Sequence, residues 1–170
     1  MKSNIDGILV VEGVSDVAYL SGYINALFFT TGGYDISDKK IAFLKRVSKV
    51  NKIIVMTDPD EAGSTIENKI KNEINGVFVA KIAKNSRKSY KKAGVAESDI
   101  NVVVETLKPY FTGAEPFTQN YDLNTLISLA ENPSEKRREI ITKFGLLGGN
   151  NKAIENQLKM LKISREELWK

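Results

Sequence analysis

Residues 53–63 read IIVMTDPDEAG: an apolar, largely β-branched run that ends in Thr57, Asp58, Pro59 and Asp60. Residues 8–13, ILVVEG, repeat the device, with four apolar side chains followed by Glu12 and Gly13. Short apolar runs bounded by turn residues read as strands buried on both faces, the habit of a parallel sheet. Carboxylates are an unusual exit from such a strand, so these two stretches decide the fold class and direct attention to one chemistry.

Working outward, further strand-like runs lie at Ala26–Thr30 and Val77–Ala80, beside Ile8–Val11 and Ile53–Thr57. Segments with helical spacing separate them, at Val17–Ile24, Ile41–Val47 and Ala62–Ile74. In the last of these Ala62, Ile66, Ile70 and Ile74 recur every fourth residue and make one apolar stripe. Strand and helix in alternation predict an α/β fold, a parallel sheet flanked by helices. One more helix is expected after residue 97, with Ser98 as N-cap and Val102, Val103 and Leu107 facing inward.

Pro109, Gly113 and Pro116 then cluster, which reads as a break. The expected organisation is a first domain over 1–112, a linker over 113–120 and a small all-α C-terminal domain over 121–170. That last part holds a Leu-rich segment from Asp122 to Ala130, then a helix opening with Asn132 as cap, Pro133 at the first helical position and Glu135 placed for a capping box. Ile154, Leu158 and Leu161 form a further stripe, and Ser164 with Glu167 signals one more helix start.

Composition narrows the chemistry. The 170 residues contain no Cys and no His, which excludes a Cys/His zinc site, a Ser-His-Asp triad within the chain and a thiolate nucleophile. Carboxylate, Lys, Tyr, Ser, Thr and oxygen-ligated metal remain. The formal charge of +4 permits a polyanionic partner without requiring one. Its distribution is uneven: residues 81–92 carry Lys81, Lys84, Arg87, Lys88, Lys91 and Lys92 with no acid, either a solvated loop or a phosphate-contacting one. No apolar run approaches the roughly 18 residues of a membrane span, and the start lacks a signal-peptide pattern, so a cytoplasmic protein is expected.

In a parallel sheet, loops leaving the carboxyl ends of the strands share one edge, where open α/β sheets bind ligands. If the first and third strands are neighbours, Glu12, Asp58 and Asp60 converge there. Converging carboxylates repel unless a cation lies among them, and Mg²⁺ takes oxygen ligands while keeping several waters. Pro59 stiffens the turn presenting both Asp side chains, and Gly13 and Gly63 would allow tight turns and close approach of a phosphate. The competing reading is structural: Asp60 as a helix cap, Asp58 in an Asx-turn, Glu12 as an exposed turn residue. An Asp-x-Asp after a strand also occurs in haloacid dehalogenase phosphatases, whose motif DPDEAGST at 58–65 matches poorly.

VVEGVSD at 10–16 and IIVMTDPDEAG at 53–63 resemble the two motifs of the Toprim domain, shared by topoisomerases, bacterial primases, OLD-type nucleases and ribonuclease M5. The resemblance implies that Glu12, Asp58 and Asp60 bind Mg²⁺ and serve phosphoryl transfer, with Gly13, Asp16, Gly32, Gly33, Gly63 and Glu97 in support. Gly32 and Gly33 belong to TTGGYDIS at 30–37, which is similar to the small-residue loop after the second strand. The stretch GVFVAKIAKNSRKSYKKAGV at 76–95 and the helical tail resemble the ribonuclease M5 family, so the likeness covers nearly the whole chain. It implies a magnesium-dependent endoribonuclease that matures precursor 5S ribosomal RNA by cutting both strands of its terminal stem, assisted by a 5S-binding ribosomal protein. Lys84, Arg87, Lys88, Lys91 and Lys92 would then contact RNA phosphates. The chain departs from that family after Gly94-Val95, where Ala96 and Glu97 replace a Glu-His pair; either Glu97 substitutes with a one-residue shift or that role is absent. Lys136, Arg137 and Arg138 alternate with Glu135 and Glu139 and read as a solvated helix face. A Toprim DNA nuclease, a binding-only module and a small-molecule phosphatase are the other classes compatible with this reading.

Overall fold

A computed structural model of the chain describes residues 2–82, 94–116 and 119–170. The chain divides into two compact units, Met1–Pro116 and Phe117–Lys170.

The first unit holds β1 (Ser3–Val11), α1 (Val14–Leu20), β2 (Ile24–Thr30), α2 (Asp38–Val47), β3 (Ile53–Val55), α3 (Glu61–Glu73), β4 (Phe78–Val79), α4 (Ile100–Leu107) and β5 (Phe111–Thr112). Strand order is β2-β1-β3-β4, all parallel, with β5 antiparallel to the start of β1. The chain steps from β1 outward to β2, then back across β1 to β3 and on to β4. Right-handed crossovers therefore put α1 on one face and α2 and α3 on the other. The packing follows the same division. Leu9, Val11, Ile54 and Met56 bury against Leu20 of α1 and Val103 and Leu107 of α4, while Phe29, on the opposite face, stacks on Phe43 of α2 with ring centroids 6.0 Å apart. Ile8 to Val11 are all fully buried, as expected of a central parallel strand covered on both faces.

Several boundaries differ from the sequence reading. The first helix ends at Leu20 and Ile24 already belongs to β2, because a buried β-branched residue serves strand and helix periodicity alike. β1 starts at Ser3, well before Ile8, and carries a bulge between Asn4 and Ile8. Gly7 sits there at φ +142, and a Cβ on it would lie 2.7 Å from the Lys52 carbonyl oxygen. The expected N-cap Ser98 is not one: its hydroxyl donates to the Gly94 carbonyl, closing a 3₁₀ turn over Val95–Glu97, and Asp99 caps α4 by accepting the Asn101 N–H. Phe111 and Thr112, beside the expected linker, pair with Ile5 and Asn4 as β5.

The second unit holds α5 (Leu123–Ser128), α6 (Pro133–Phe144), α7 (Asn151–Met160) and α8 (Arg165–Trp169). Leu123, Ile127, Ile140, Ile154, Leu158 and Leu168 are buried. Tyr121 is buried too, and its hydroxyl donates to the Ile163 carbonyl at 2.6 Å, tying the unit's entrance to the end of α7. Gln157 fixes the turn before α7, accepting from Leu147 N–H and donating to the Gly148 carbonyl. Asn132 accepts the Glu135 N–H, but the Glu135 side chain does not return to complete the expected capping box; the full box forms at Ser164 with Glu167. Arg137 is engaged inside the unit, donating to Asn151, and Lys136 pairs with Glu139.

Candidate active site

The β1–β3 pairing, Ile8 to Ile53 through Val10 to Val55, aligns the carboxyl ends of the two strands. The loop after β1 leaves toward one face and the loop after β3 toward the other, so the crevice between them is the switch point of the sheet, where ligand sites open. Glu12, Gly13, Asp16, Gly33, Asp58, Asp60, Gly94 and Glu97 border one concavity there, of about 380 Å³.

Glu12, Asp16, Asp58 and Asp60 are each held by backbone. Glu12 Oε1 accepts the Asp58 N–H at 2.7 Å, bridging the two strand ends. Asp58 Oδ1 accepts the Val95 N–H at 2.7 Å. Asp60 is the N-cap of α3, accepting the Gly63 N–H at 2.8 Å, so its capping role coexists with its place at the site. Asp16 is buried and accepts the Gly13 N–H at 2.9 Å, and the Ala96 N–H also points to it. Asp16 and Asp58 thus draw in the turn that carries Glu97, and Glu97 lies close to Gly94, where a Cβ would meet its Oε2 at 2.2 Å.

Burial and mutual repulsion shift the protonation of these acids. The Asp58 carboxyl is pushed up to about 7, chiefly by burial and further by the negative charges of Glu12, Asp16 and Asp60, against the partial pull-back of the Val95 N–H. Glu12 is raised first by burial and then by Asp60 and Asp16. Asp16 is raised by burial and by Glu97. Opposed carboxylates in a cleft of this kind mark a functional-site candidate.

The oxygen-only donor set tests well against a hard divalent ion. Among the described residues no three acids form a ready-made cage. Hard divalent cations take oxygen ligands such as these and fill the rest of their shell with water.

Glycine is required at Gly63, where a Cβ would lie 2.1 Å from the Asp58 carbonyl oxygen and 2.8 Å from Glu12 Oε1. Gly13 is different from expectation: its backbone is extended, at φ −135, and a Cβ would meet nothing nearer than 3.6 Å. Gly32 and Gly33 take positive φ, at +85 and +120, and bring the β2–α2 loop to the rim. Lys84, Arg87, Lys88, Lys91 and Lys92 lie outside the described residues.

Sequence reasoning missed Lys40. Its ammonium donates to the Thr30 and Thr31 carbonyls at 3.0 and 2.8 Å, closing the end of β2 beside Gly32, and burial lowers its pKa. A lysine on an amphipathic helix gives no local signal of that reach.

The Toprim domain family model matches residues 7–97. Over the whole length the chain is similar to Ribonuclease M5 of Mycoplasma genitalium, 27% identical over 99% of this chain and 96% of that protein. It is similar to Ribonuclease M5 of Clostridium botulinum at 26% identity over 98% and 94%. Ribonuclease M5 of Mesoplasma florum is 38% identical over 62% of each chain. With Glu12 closing β1, Asp58 and Asp60 closing β3, and a matched segment that runs from within β1 past β4, the chain belongs to the Toprim domain family.

Proposed function

We propose that this chain is a magnesium-dependent endoribonuclease of ribonuclease M5 type, acting on the double-stranded terminal stem of precursor 5S ribosomal RNA and cutting both strands. The observation that carries the reading is the meeting of Glu12, Asp58 and Asp60 on one concavity at the carboxyl edge of the sheet. The full-length likeness to ribonucleases M5 supports RNA as substrate and ribosomal RNA processing as the setting. A 5S-binding ribosomal protein that shapes the RNA is the proposed partner, and the cytoplasm the proposed location; among the described residues no helix is long and apolar enough to cross a membrane.

Asp58 and Asp60 are the residues that would hold Mg²⁺, which when bound supplies Lewis acidity toward the scissile phosphate and water. Glu12, whose proton affinity burial raises, completes that shell or moves a proton at Oε2, since its Oε1 is already engaged by the Asp58 N–H. Asp16 fixes the turn bearing Ala96 and Glu97 against the site. Lys84, Arg87, Lys88, Lys91 and Lys92 contact phosphates, which makes binding weaken steeply with salt. The fold of the RNA, rather than base edges in a deep A-form groove, sets specificity.

The test is cleavage of end-labelled precursor 5S RNA, mixed with its ribosomal protein, with and without Mg²⁺. Discrete metal-dependent cuts in both strands, abolished in Asp58→Asn, are expected. Near-wild-type cutting by Asp58→Asn would sink the assignment.

A further inference from the structure

A second cavity, of about 450 Å³, abuts the acidic concavity and shares Asp58 with it. Its volume is in the roughly 300–1,000 Å³ range of small-ligand sites. It lies between the start of α3 and the residues that follow β3 and β4. Pro59, Val79, Ala80 and Ile82 give it apolar walls, and Ser64 and Glu67 of α3 give it polar ones.

Glu67 is the feature that calls for a ligand. It is 6% exposed, and among the described residues its Oε1 accepts from Lys71 at 3.5 Å and pairs with Lys81 at 3.3 Å, the Lys81 side chain being 73% exposed. Both contacts are long for hydrogen bonds and both fall on Oε1, so among the described residues nothing donates to Oε2. An ionised carboxylate only accepts. The complementary ligand therefore has flat apolar faces for Pro59, Val79, Ala80 and Ile82 and paired N–H donors on one edge for Glu67.

We infer that this cavity binds an unpaired nucleobase of the RNA, flanking the phosphate to be cut, and that guanine is favoured. Among the bases guanine alone presents two adjacent N–H donors, N1–H and the 2-amino group, on its Watson–Crick edge, where uracil, adenine and cytosine each offer one donor position. Sharing Asp58 between the two cavities places the base next to the reacting phosphate. The inference rests on the reading of the chain as an RNA-cleaving enzyme, and it adds a base preference to a site otherwise built for backbone.

The experiment measures binding of short RNA stems carrying one bulged nucleotide, with Ca²⁺ replacing Mg²⁺ so that affinity is read without turnover. Bulged guanine is compared with inosine, which lacks the 2-amino donor, and with adenine, on the wild-type chain, on Glu67→Gln and on Ser64→Trp, whose added ring fills the cavity from an exposed position. Guanine should bind about tenfold tighter than inosine, the discrimination of a good bidentate base contact, and Glu67→Gln and Ser64→Trp should erase the difference. The inosine comparison changes only the RNA, so it holds whether or not a variant folds. Equal affinity for guanine and inosine overturns the inference, as does a preference retained in Glu67→Gln. Guanosine monophosphate binding as tightly as the bulged stem also overturns it, by reassigning the cavity to free nucleotide. Cleavage of a fully paired stem in Mg²⁺ is scored in parallel: cutting without guanine preference leaves the proposed reaction standing, and guanine preference without cutting leaves the base site standing.

Discussion

Replacing Asp58 with Asn should stabilise the metal-free protein while abolishing its response to Mg²⁺. The folded state raises the Asp58 carboxyl from 3.8 to about 7. A raised carboxylate pKa means the folded chain holds the proton more tightly than the unfolded chain, so stability from this group is full below about pH 4 and is lost as pH rises through 7. Three pKa units correspond to ~4 kcal/mol, and since Asp58 is only partly buried, solvent screening reduces this to about 2 kcal/mol. The Asp58→Asn side chain keeps an oxygen for the Val95 N–H, so the hydrogen bond that holds the turn is preserved while the cost of burying a charge, and with it the repulsion from Glu12, Asp16 and Asp60, is removed. For a unit of this size, thermal melts in EDTA at pH 8 should show Asp58→Asn melting about 6–10 °C higher than wild type. The gap should shrink by more than half at pH 5, where the wild-type carboxyl is protonated. Saturating Mg²⁺ at pH 8 should raise the wild-type melting temperature and leave the variant unmoved. A variant no more stable than wild type at pH 8, or a gap independent of pH, would refute the argument that Asp58 is held in place against the cost of its burial and the repulsion of its neighbours.

Asp60→Asn separates the cap from the charge: Asn caps helices as well as Asp, so the melting temperature should change by less than about 2 °C while Mg²⁺ affinity, read by isothermal titration, falls at least tenfold. In Gly63→Ala the Cβ would collide with the Asp58 carbonyl at 2.1 Å; loss of ~2–3 kcal/mol in denaturant unfolding is expected, and unchanged stability would show that the turn can yield. Tyr121→Phe removes the donor to the Ile163 carbonyl in the helical unit, which should lower that unit's stability by ~1–2 kcal/mol and leave Mg²⁺ binding at the first unit unaltered, checked by residue-resolved amide exchange.

Features that depend on neighbours a few residues apart were legible along the chain. Apolar runs ending in Glu12 and in Asp58-Pro59-Asp60, the stripe through Ile66 and Ile70, and the caps at Asn132 and Ser164 all follow from local spacing and local hydrogen bonds, and each is in place in the structure. The acids stood out as a candidate site because a buried strand that exits on carboxylates breaks the usual pattern twice. That β1 and β3 are neighbours, which turns two separate motifs into one concavity, emerged from the folded chain alone. So did the burial of Asp16 under the Val95–Glu97 turn, the closure of the end of β2 by Lys40, the cavity that holds Glu67 beside Asp58, and the entry of Phe111 and Thr112 into the sheet. Strand order, burial and charge–charge distance are set by residues tens of positions apart, and a carboxylate's proton affinity depends on all three. Periodicity carries none of that information, so the identity of the acids could be read along the chain while their coupling could be read only across it.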